Sequence, residues 1–286
     1  MQALFLIGAG LMGSSFALAA KRAGAFARVI GYDVDARAAA RARDKGVLDE
    51  TVADIASGVR DCAAVAVAVP PQAIAPSVVA ALRALDGRPA PIFDLGSVKA
   101  PVIEALSRLL GSVPAQFVPC HPLAGRELRG ADAADATLFV GRRVFVTPVA
   151  ATAPDALASV IRWWRGCGAD VQVVTAAEHD AAVAATSHLP HLLASSYVAT
   201  LAGRVAALQG FTGPGFRDFT RIAASDPELW RQILLENRVN LGADLTALID
   251  ALVRVRDGLA AGDDAALRSV LERGREAKER FRDGGG

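Results

Sequence analysis

Three glycines near the N-terminus constrain the fold more than any other feature of this sequence. A continuous apolar run over Ala3 to Ile7 is followed by Gly8, Gly10 and Gly13, and Ser14 to Ala23 continue with helical spacing. This order predicts a buried strand, a tight turn and a helix. The first glycine permits the turn, the second lets the backbone approach a pyrophosphate, and the third lets the helix pack against the strand. The segment therefore predicts dinucleotide binding at a helix N-terminus, with a purely structural glycine turn as the alternative.

An acidic residue follows the next predicted strand. Val29 to Tyr32 read as that strand, and Asp33 comes directly after it, about twenty residues beyond the glycines. A carboxylate at this position accepts hydrogen bonds from both ribose hydroxyls and would repel a 2′-phosphate. The sequence therefore favours NAD over NADP as the cofactor, while the nearby Arg37 leaves NADP open.

Length, charge and cysteine usage indicate an ordinary soluble globular protein. The chain has 286 residues, enough for two domains, with a hydrophobic fraction of 52% and a net charge of +1, so a nucleic-acid partner is not expected. The three cysteines lack disulfide or metal-ligand spacing, which fits reduced thiols in a cytoplasm. The apolar opening has no basic flank, and later apolar runs are too short or too interrupted to span a membrane. We expect a cytoplasmic protein without a membrane partner.

Alternating strand and helix signals predict a doubly wound, mostly parallel sheet of Rossmann type. Strand signals vanish after Ala176, and three long helices are expected beyond it, the second starting at a capping box. The sequence predicts a dinucleotide-binding domain over residues 1–176 and a helical domain over residues 177–286. The elements predicted after Asp33 are helices over Ala36 to Lys45, Ile74 to Leu85, Pro154 to Cys167, Glu178 to Leu201, Ser225 to Gly258 and Asp264 to Arg282, and strands over Ala64 to Val69, Pro91 to Leu95, Gln116 to Pro119, Arg143 to Thr147 and Asp170 to Val174.

Two polar side chains come directly after neighbouring strands. Ser97 follows the strand ending at Leu95, and His121 follows the strand ending at Pro119. Ligands of parallel α/β sheets bind beyond the carboxyl ends of the strands, so these two residues are candidates for one site. Ser97 could instead cap a helix, and His121 could be a structural loop residue. Because imidazole titrates near neutral pH, a general base is our preferred interpretation of His121.

Two histidines lie three residues apart in the first helix of the second domain. His188 and His191 share one helix face, and Pro190 between them predicts a kink because it cannot donate to the carbonyl of Thr186. Histidines in apolar helices usually belong to the core, but two beside a kink favour a ligand pocket. No metal site is expected, since no third ligand has suitable spacing.

Other residues offer weaker signals. Arg221 lies near a glycine-rich linker and could hold a carboxylate bidentately, or could pair with Asp218 on one turn of helix. Trp230 is expected to be a packing residue. Cys120 adjoins His121, but a thiolate nucleophile has no part in hydride chemistry.

In its motifs and their order, the chain resembles the prephenate dehydrogenase family, which includes cyclohexadienyl and arogenate dehydrogenases. The resemblance implies a Rossmann domain followed by an all-helical domain through which two subunits pair. It also implies NAD-dependent oxidative decarboxylation of prephenate, arogenate or both, giving 4-hydroxyphenylpyruvate or tyrosine. The matching stretches, in the order of the family, are LIGAGLMGSS, DLGSVK, HPLAGRE, GADAADATLFVGRRVFVTP, SHLPH and GPGFRDFTRIAASDPELWRQI.

The resemblance also implies roles for individual residues. His121 resembles the catalytic histidine of the family, and Ser97 the serine that bonds both this histidine and the substrate hydroxyl. Arg221 matches the arginine that holds a substrate carboxylate. The helix histidine near the substrate side chain matches His191, with His188 as the second candidate, and Glu127 matches a loop acid that gates the pocket.

Two other classes remain open at this stage. A β-hydroxyacid or 6-phosphogluconate-type dehydrogenase would share the architecture, but such enzymes generally use a lysine on the first long helix of the second domain, where this sequence has none. A catalytically silent NAD-sensing or dimerisation protein would bind the cofactor without turnover, and would leave Ser97, His121 and Arg221 without a purpose.

Overall fold

A six-stranded parallel sheet forms the centre of the N-terminal domain. The computed structural model describes residues 2–124 and 130–281. The strands lie in the order β3-β2-β1-β4-β5-β6, so the chain reverses direction across the sheet between β1 and β4. This is the predicted doubly wound topology, with its ligand crevice at that reversal. The strands are β1 (Ala3–Ile7), β2 (Arg28–Tyr32), β3 (Glu50–Thr51), β4 (Cys62–Val67), β5 (Ile92–Asp94) and β6 (Phe117–Val118).

Helices cover both faces of this sheet. Phe16, Phe93 and Trp164 pack together on one face, with ring centroids 4.7 to 6.3 Å apart. A second buried cluster on the other face includes Phe5 and Phe117. The helices of this domain are α1 (Leu11–Arg22), α2 (Ala36–Asp44), α3 (Ile55–Gly58), α4 (Pro71–Leu85), α5 (Ala100–Leu110) and α6 (Pro154–Gly166).

The last strands of the domain were expected to complete the parallel sheet, and this prediction is wrong. They form a separate mixed sheet, β7 (Cys120–Pro122), β8 (Arg143–Val146) and β9 (Asp170–Val173). β7 pairs antiparallel with β8, and β8 pairs parallel with β9. The chain leaves the first sheet at the end of β6 and enters the second at Cys120, so His121 lies within a strand rather than in the loop after one.

The C-terminal domain is helical in the described residues. Its helices are α7 (Ala176–Val183), α8 (Leu189–Thr200), α9 (Val205–Leu208), α10 (Pro214–Thr220), α11 (Pro227–Glu236), α12 (Arg238–Ala261) and α13 (Asp264–Arg280). A π-helical turn, Ala184–His188, joins α7 to α8. The predicted irregularity at Pro190 therefore takes the form of a wider turn, in which Thr186 lies within the π segment.

The single helix predicted over Ser225 to Gly258 is two helices, separated at Asn237. The predicted capping residue is also wrong by one position. Asp226 accepts hydrogen bonds from the backbone N–H groups of Glu228 and Leu229, whereas the hydroxyl of Ser225 donates to the carbonyl of Ile222. No helix among the described residues is both long and apolar enough to cross a membrane.

Candidate active site

The three N-terminal glycines form a cradle at the crevice. Gly8 has a φ of +96°, and a Cβ there would lie 2.3 Å from the carbonyl oxygen of Ala68. A Cβ on Gly13 would lie 2.3 Å from the carbonyl oxygen of Gly8, so α1 could not approach β1 with any larger residue. Gly10 differs, because no atom of the described residues, apart from its two chain neighbours, lies within 4 Å of its Cβ position. The open space at Gly10 is where an approaching phosphate group needs the backbone bare.

The start of α1 is suited to an anion. Gly10 is its N-cap and provides no side-chain hydrogen bond, so the N–H groups of the first turn lack a side-chain cap. Gly8, Gly10 and Asp33 line one cavity of about 480 Å³. The carboxylate of Asp33 accepts hydrogen bonds from the N–H groups of Ala9 at 2.8 Å and Asp35 at 2.9 Å, which fix its orientation. These features fit the phosphates and ribose of a dinucleotide.

A larger cavity of about 910 Å³ lies between the two domains. Ser97 and His121 both line it, from the loop after β5 and from β7. Thus the structure brings the two predicted polar residues to one wall. Ser97 lies ahead of α5, whose N-cap is Lys99, so Ser97 does not cap that helix. The helical domain contributes the opposite wall with Val183, Thr186, Ser187, His188 and Trp230.

His121 is the first member of a hydrogen-bonded chain that the sequence did not predict. Its Nδ1 lies 2.8 Å from Nε2 of His179, and Nδ1 of His179 lies 2.7 Å from Oδ1 of Asp180. Asp180 also accepts from the N–H groups of Lys99 at 2.9 Å and Ala100 at 2.8 Å. A carboxylate of α7 therefore satisfies the start of α5 and orients His179. An adjacent His and Asp in an otherwise apolar helical segment was the available sequence signal.

A buried ion pair lies beneath this chain. Lys99 and Asp94 are fully buried, and Nζ of Lys99 bonds both a carboxylate oxygen of Asp94 and, at 2.6 Å, the carbonyl oxygen of Cys120. Asp94 also accepts from the N–H groups of Gly96 and Cys120. The pair ties the loop that carries Ser97 to the strand that carries His121. The thiol of Cys120 itself is buried, and burial raises its pKa, which argues against a thiolate.

The two helix histidines differ in their surroundings. Nδ1 of His188 lies 3.1 Å from Nδ2 of Asn237, which also donates to the carbonyl of Asp180 at 2.7 Å. His191 stacks on Trp230, with ring centroids 3.4 Å apart and an interplanar angle of 6°. His188 and Trp230 line the large cavity, so Trp230 is more than the packing residue that the sequence predicted. His191 contacts Trp230 but is not among the described residues that line this cavity.

Burial keeps the site histidines neutral. It lowers the pKa of His121 well below the usual value, and the ammonium of Lys99 acts in the same direction. Burial also lowers the pKa of His188 to about 4, although Asp180 opposes the shift, and lowers the pKa of His191 to about 4. Neutral imidazoles can accept protons, so the arrangement can perform general-base chemistry.

Two predicted site residues remain apart from this centre or undescribed. Arg221 is exposed, in the short 3-10 turn Arg221–Ala224 that follows α10, and it is not among the described residues that line the large cavity. Glu127 lies outside the described residues. Within residues 2–124 and 130–281, no group of three or more His, Cys, Asp or Glu side chains is arranged to hold a metal ion.

A dinucleotide cradle on a doubly wound sheet, a helical second domain and a polar cavity between them define a two-domain oxidoreductase of the dehydrogenase type. The comparisons with known proteins identify the family. Residues 16–173 match the family model described as the nucleotide-binding domain of prephenate dehydrogenase, and residues 175–273 match its dimerization domain. The chain belongs to the prephenate dehydrogenase family. The second match supports a homodimer formed through the helical domain.

Relatives of known name agree with this assignment. The cyclohexadienyl dehydrogenase of Zymomonas mobilis is 35% identical over 278 residues, which cover 96% of this chain and 94% of that protein. A crystal structure of prephenate dehydrogenase from Aquifex aeolicus, in complex with hydroxyphenyl propionate and NAD+, is 30% identical with a TM-score of 0.87, and the match covers 98% of each chain. The arogenate dehydrogenase of Synechocystis is 26% identical with a TM-score of 0.79, covering 98% of this chain and 100% of that one.

Proposed function

We propose that this chain catalyses the NAD-dependent oxidative decarboxylation of prephenate, arogenate or both. The observation that carries the proposal is the position of His121, a buried neutral imidazole that lines the large cavity. Membership of the family and the names of its relatives support the same reaction class. The reaction would give 4-hydroxyphenylpyruvate from prephenate or tyrosine from arogenate.

In this proposal His121 is the general base and Ser97 its partner at the substrate. The unprotonated nitrogen of His121 accepts the proton from the hydroxyl group on the substrate ring, and the hydroxyl of Ser97 orients this substrate hydroxyl. A bound NAD supplies the acceptor for the hydride. Oxidation produces a carbonyl conjugated with the carbon that bears the ring carboxylate, so the carboxylate can leave as CO2 and the ring becomes aromatic. The protein needs only to orient the substrate and take up a proton.

The remaining predicted residues would hold the substrate. His188 faces the cavity, and His191 holds Trp230 in place by stacking, so His188 is the better candidate for direct contact with the side chain of the substrate. Arg221 is proposed to bind a carboxylate, with Glu127 closing the pocket, as in the sequence interpretation. Arg221 lies in a turn that packs against α8, the helix of His191.

We also propose NAD rather than NADP as the preferred cofactor. Gly8, Gly10 and Gly13 would hold the pyrophosphate at the start of α1, and Asp33 would hold the ribose. A negative carboxylate fixed at the mouth of this cavity would repel a 2′-phosphate. The boundary between the domains is proposed at residues 176 and 177, because β9 ends at Val173 and α7 begins at Ala176.

The direct test follows NADH formation with purified protein, NAD and either prephenate or L-arogenate, and repeats each assay with NADP. Turnover with either substrate would support the reaction class, and the ratio of the kcat/KM values would give the substrate preference. Cofactor binding without turnover of either substrate would contradict the proposal. A hydroxyacid dehydrogenase is not favoured, since the family matches cover both domains.

Replacement of His121 by Asn tests the role of the base. General-base catalysis contributes about 10²- to 10⁴-fold, so kcat should fall by that amount while KM changes little. Thermal unfolding and NADH binding serve as controls for folding. A variant that keeps nearly normal kcat would remove His121 from the mechanism.

A further inference from the structure

The hydrogen-bonded chain behind His121 determines where its protons lie. Asp180 is a carboxylate whose two oxygens accept from the backbone N–H groups of Lys99 and Ala100. It can only accept a hydrogen bond, so Nδ1 of His179 must donate to it across 2.7 Å. Neutral His179 then carries no proton on Nε2, and this nitrogen must accept from Nδ1 of His121 across 2.8 Å. The proton of neutral His121 therefore lies on Nδ1, and its Nε2 is unprotonated.

The chain also provides a second place for a proton that His121 collects. When Nε2 of His121 takes a proton, its Nδ1 proton can move to Nε2 of His179, leaving His121 neutral. His179 then carries protons on both nitrogens and lies directly against the carboxylate of Asp180. One proton enters and one positive charge results, next to a negative charge. Charge on His121 itself would instead face the buried ammonium of Lys99.

We propose that His179 and Asp180 are positioning residues that fix His121 in its Nδ1-protonated tautomer, and that His179 carries the proton which His121 removes from the substrate. The proposal rests on the proposed function of His121 as general base. It assigns a role to two buried residues of α7 that line no part of the substrate cavity among the described residues.

The surroundings of His179 agree with a transient positive charge there. The packed elements contribute Asp180 from α7, His121 from β7, and the ring of Phe145 from β8, whose centroid lies 5.5 Å from that of His179. The ionisable groups near His121 are Lys99, in an ion pair with Asp94, and the neutral His188, whose Nδ1 lies beside the amide of Asn237. Among the ionisable groups in the described part of the chain, His121 and the carboxylate of Asp180 are hydrogen-bonded to the His179 ring.

Nitrogen-15 NMR of histidine-labelled protein tests the tautomers without any need for activity. The chain has four histidines, and single His→Gln variants assign their ring signals. The expected spectrum at neutral pH shows both His121 and His179 protonated on Nδ1. Protonation of neutral His121 on Nε2 would overturn the proposed tautomer, whether or not the protein turns over its substrate.

Kinetics of His179→Gln test the transfer of the proton. Glutamine can accept the hydrogen bond from His121 but cannot carry a proton. We expect kcat to fall about 10- to 100-fold, a part of the general-base contribution, with KM and NADH affinity within about twofold. The acidic limb of the kcat/KM profile should move to lower pH, because charge must now remain on His121.

Thr175→Ala is the matched control for structural damage. Thr175 caps α7, accepting from the N–H of Glu178 at 3.1 Å, so its loss weakens the helix that carries His179 without touching the proton chain. If Thr175→Ala lowers the Tm about as much as His179→Gln does, it should still keep the kcat and the pH profile of the wild type. Wild-type turnover together with an unchanged His179→Gln profile, or an equal loss in Thr175→Ala, would overturn the transfer. Absence of turnover in the wild type would instead contradict the proposed function.

Discussion

Replacement of Gly10 by Ala should separate cofactor binding from stability. Gly10 has φ −72° and ψ −173°, which alanine adopts without strain, and beyond its two chain neighbours no atom in the described part of the chain lies within 4 Å of the added Cβ. The methyl group would project into open space at the cavity that Gly8 and Asp33 also line. The folded protein therefore has no reason to change, and only a molecule in that cavity would meet the methyl.

The magnitude follows from what the methyl displaces. A hydrogen bond to a charged group is worth about 1.5–3 kcal/mol, and moving a phosphate away from the first turn of α1 would lose about one such bond. Since about 1.4 kcal/mol is a factor of ten, the Kd of NADH should rise about 10- to 150-fold. The free energy of unfolding should stay equal or rise by about 0.4–1 kcal/mol, because alanine restricts the unfolded chain.

Calorimetric titration with NADH and thermal unfolding of the apoprotein measure the two effects independently. Gly13→Ala is the contrasting variant, because its Cβ would lie 2.3 Å from the carbonyl oxygen of Gly8 and 2.9 Å from Cβ of Ala68. It should lose about 1–3 kcal/mol of stability through overpacking. Unchanged NADH affinity in Gly10→Ala would refute the assignment of this turn to the pyrophosphate, and a large loss of its Tm would refute the packing argument.

Three further predictions concern charge. Asp33→Asn should raise the ratio of NADP to NAD kcat/KM at least about fivefold, since removing one charge relieves repulsion of about 1–4 kcal/mol. An unchanged ratio would contradict the NAD preference. Lys99→Met leaves the Asp94 carboxylate buried without its cation, so the free energy of unfolding measured in urea should fall by about 3–5 kcal/mol. A fall of less than about 1 kcal/mol, as expected for an exposed ion pair, would contradict this. The pKa values of His188 and His191 are about 4 in the folded protein and about 6.5 in the unfolded chain. Below pH 6.5 these two histidines therefore bind more protons in the unfolded state than in the folded state. The free energy of unfolding should fall between pH 6.5 and 4, by up to about 3 kcal/mol for each histidine. Thermal unfolding across this range measures the loss, which His188→Gln should reduce, and a flat Tm would contradict it.

Local signals were sufficient for the glycine cradle and for the parallel strands. The strand Ala3–Ile7 lies where the apolar run predicted it, and Gly8 has the positive φ that a tight turn requires. Each of these features depends on a few consecutive residues, which a sequence displays directly. That Ser97 and His121 line the same cavity was also predictable, since strand order in a doubly wound sheet brings the carboxyl ends of strands to one edge.

Features that depend on distant partners were not predictable in the same way. The strand Cys120–Pro122 has three residues, and its pairing with Arg143–Val146 gives no periodic signal of its own. The break between α11 and α12 occurs at Asn237, whose amide bonds Asp180 and His188 far away in the sequence. Ser225 and Asp226 are adjacent, and both residue types are favoured as helix N-caps. The residue that becomes the N-cap of α11, Asp226, depends on where the backbone enters the helix, which the residue types alone do not specify.

Asp180 shows why the site must be assembled from both domains. Its carboxylate caps α5 of the dinucleotide-binding domain, its carbonyl accepts from Asn237 of the helical domain, and it orients the His179 ring that bonds His121. Separation of the domains would therefore leave the start of α5 without its acceptor and His121 without its partner. Because one carboxylate serves both purposes, docking of the helical domain and positioning of the base are a single structural event. A cofactor bound to the first domain would meet an oriented base only when the second domain is in place.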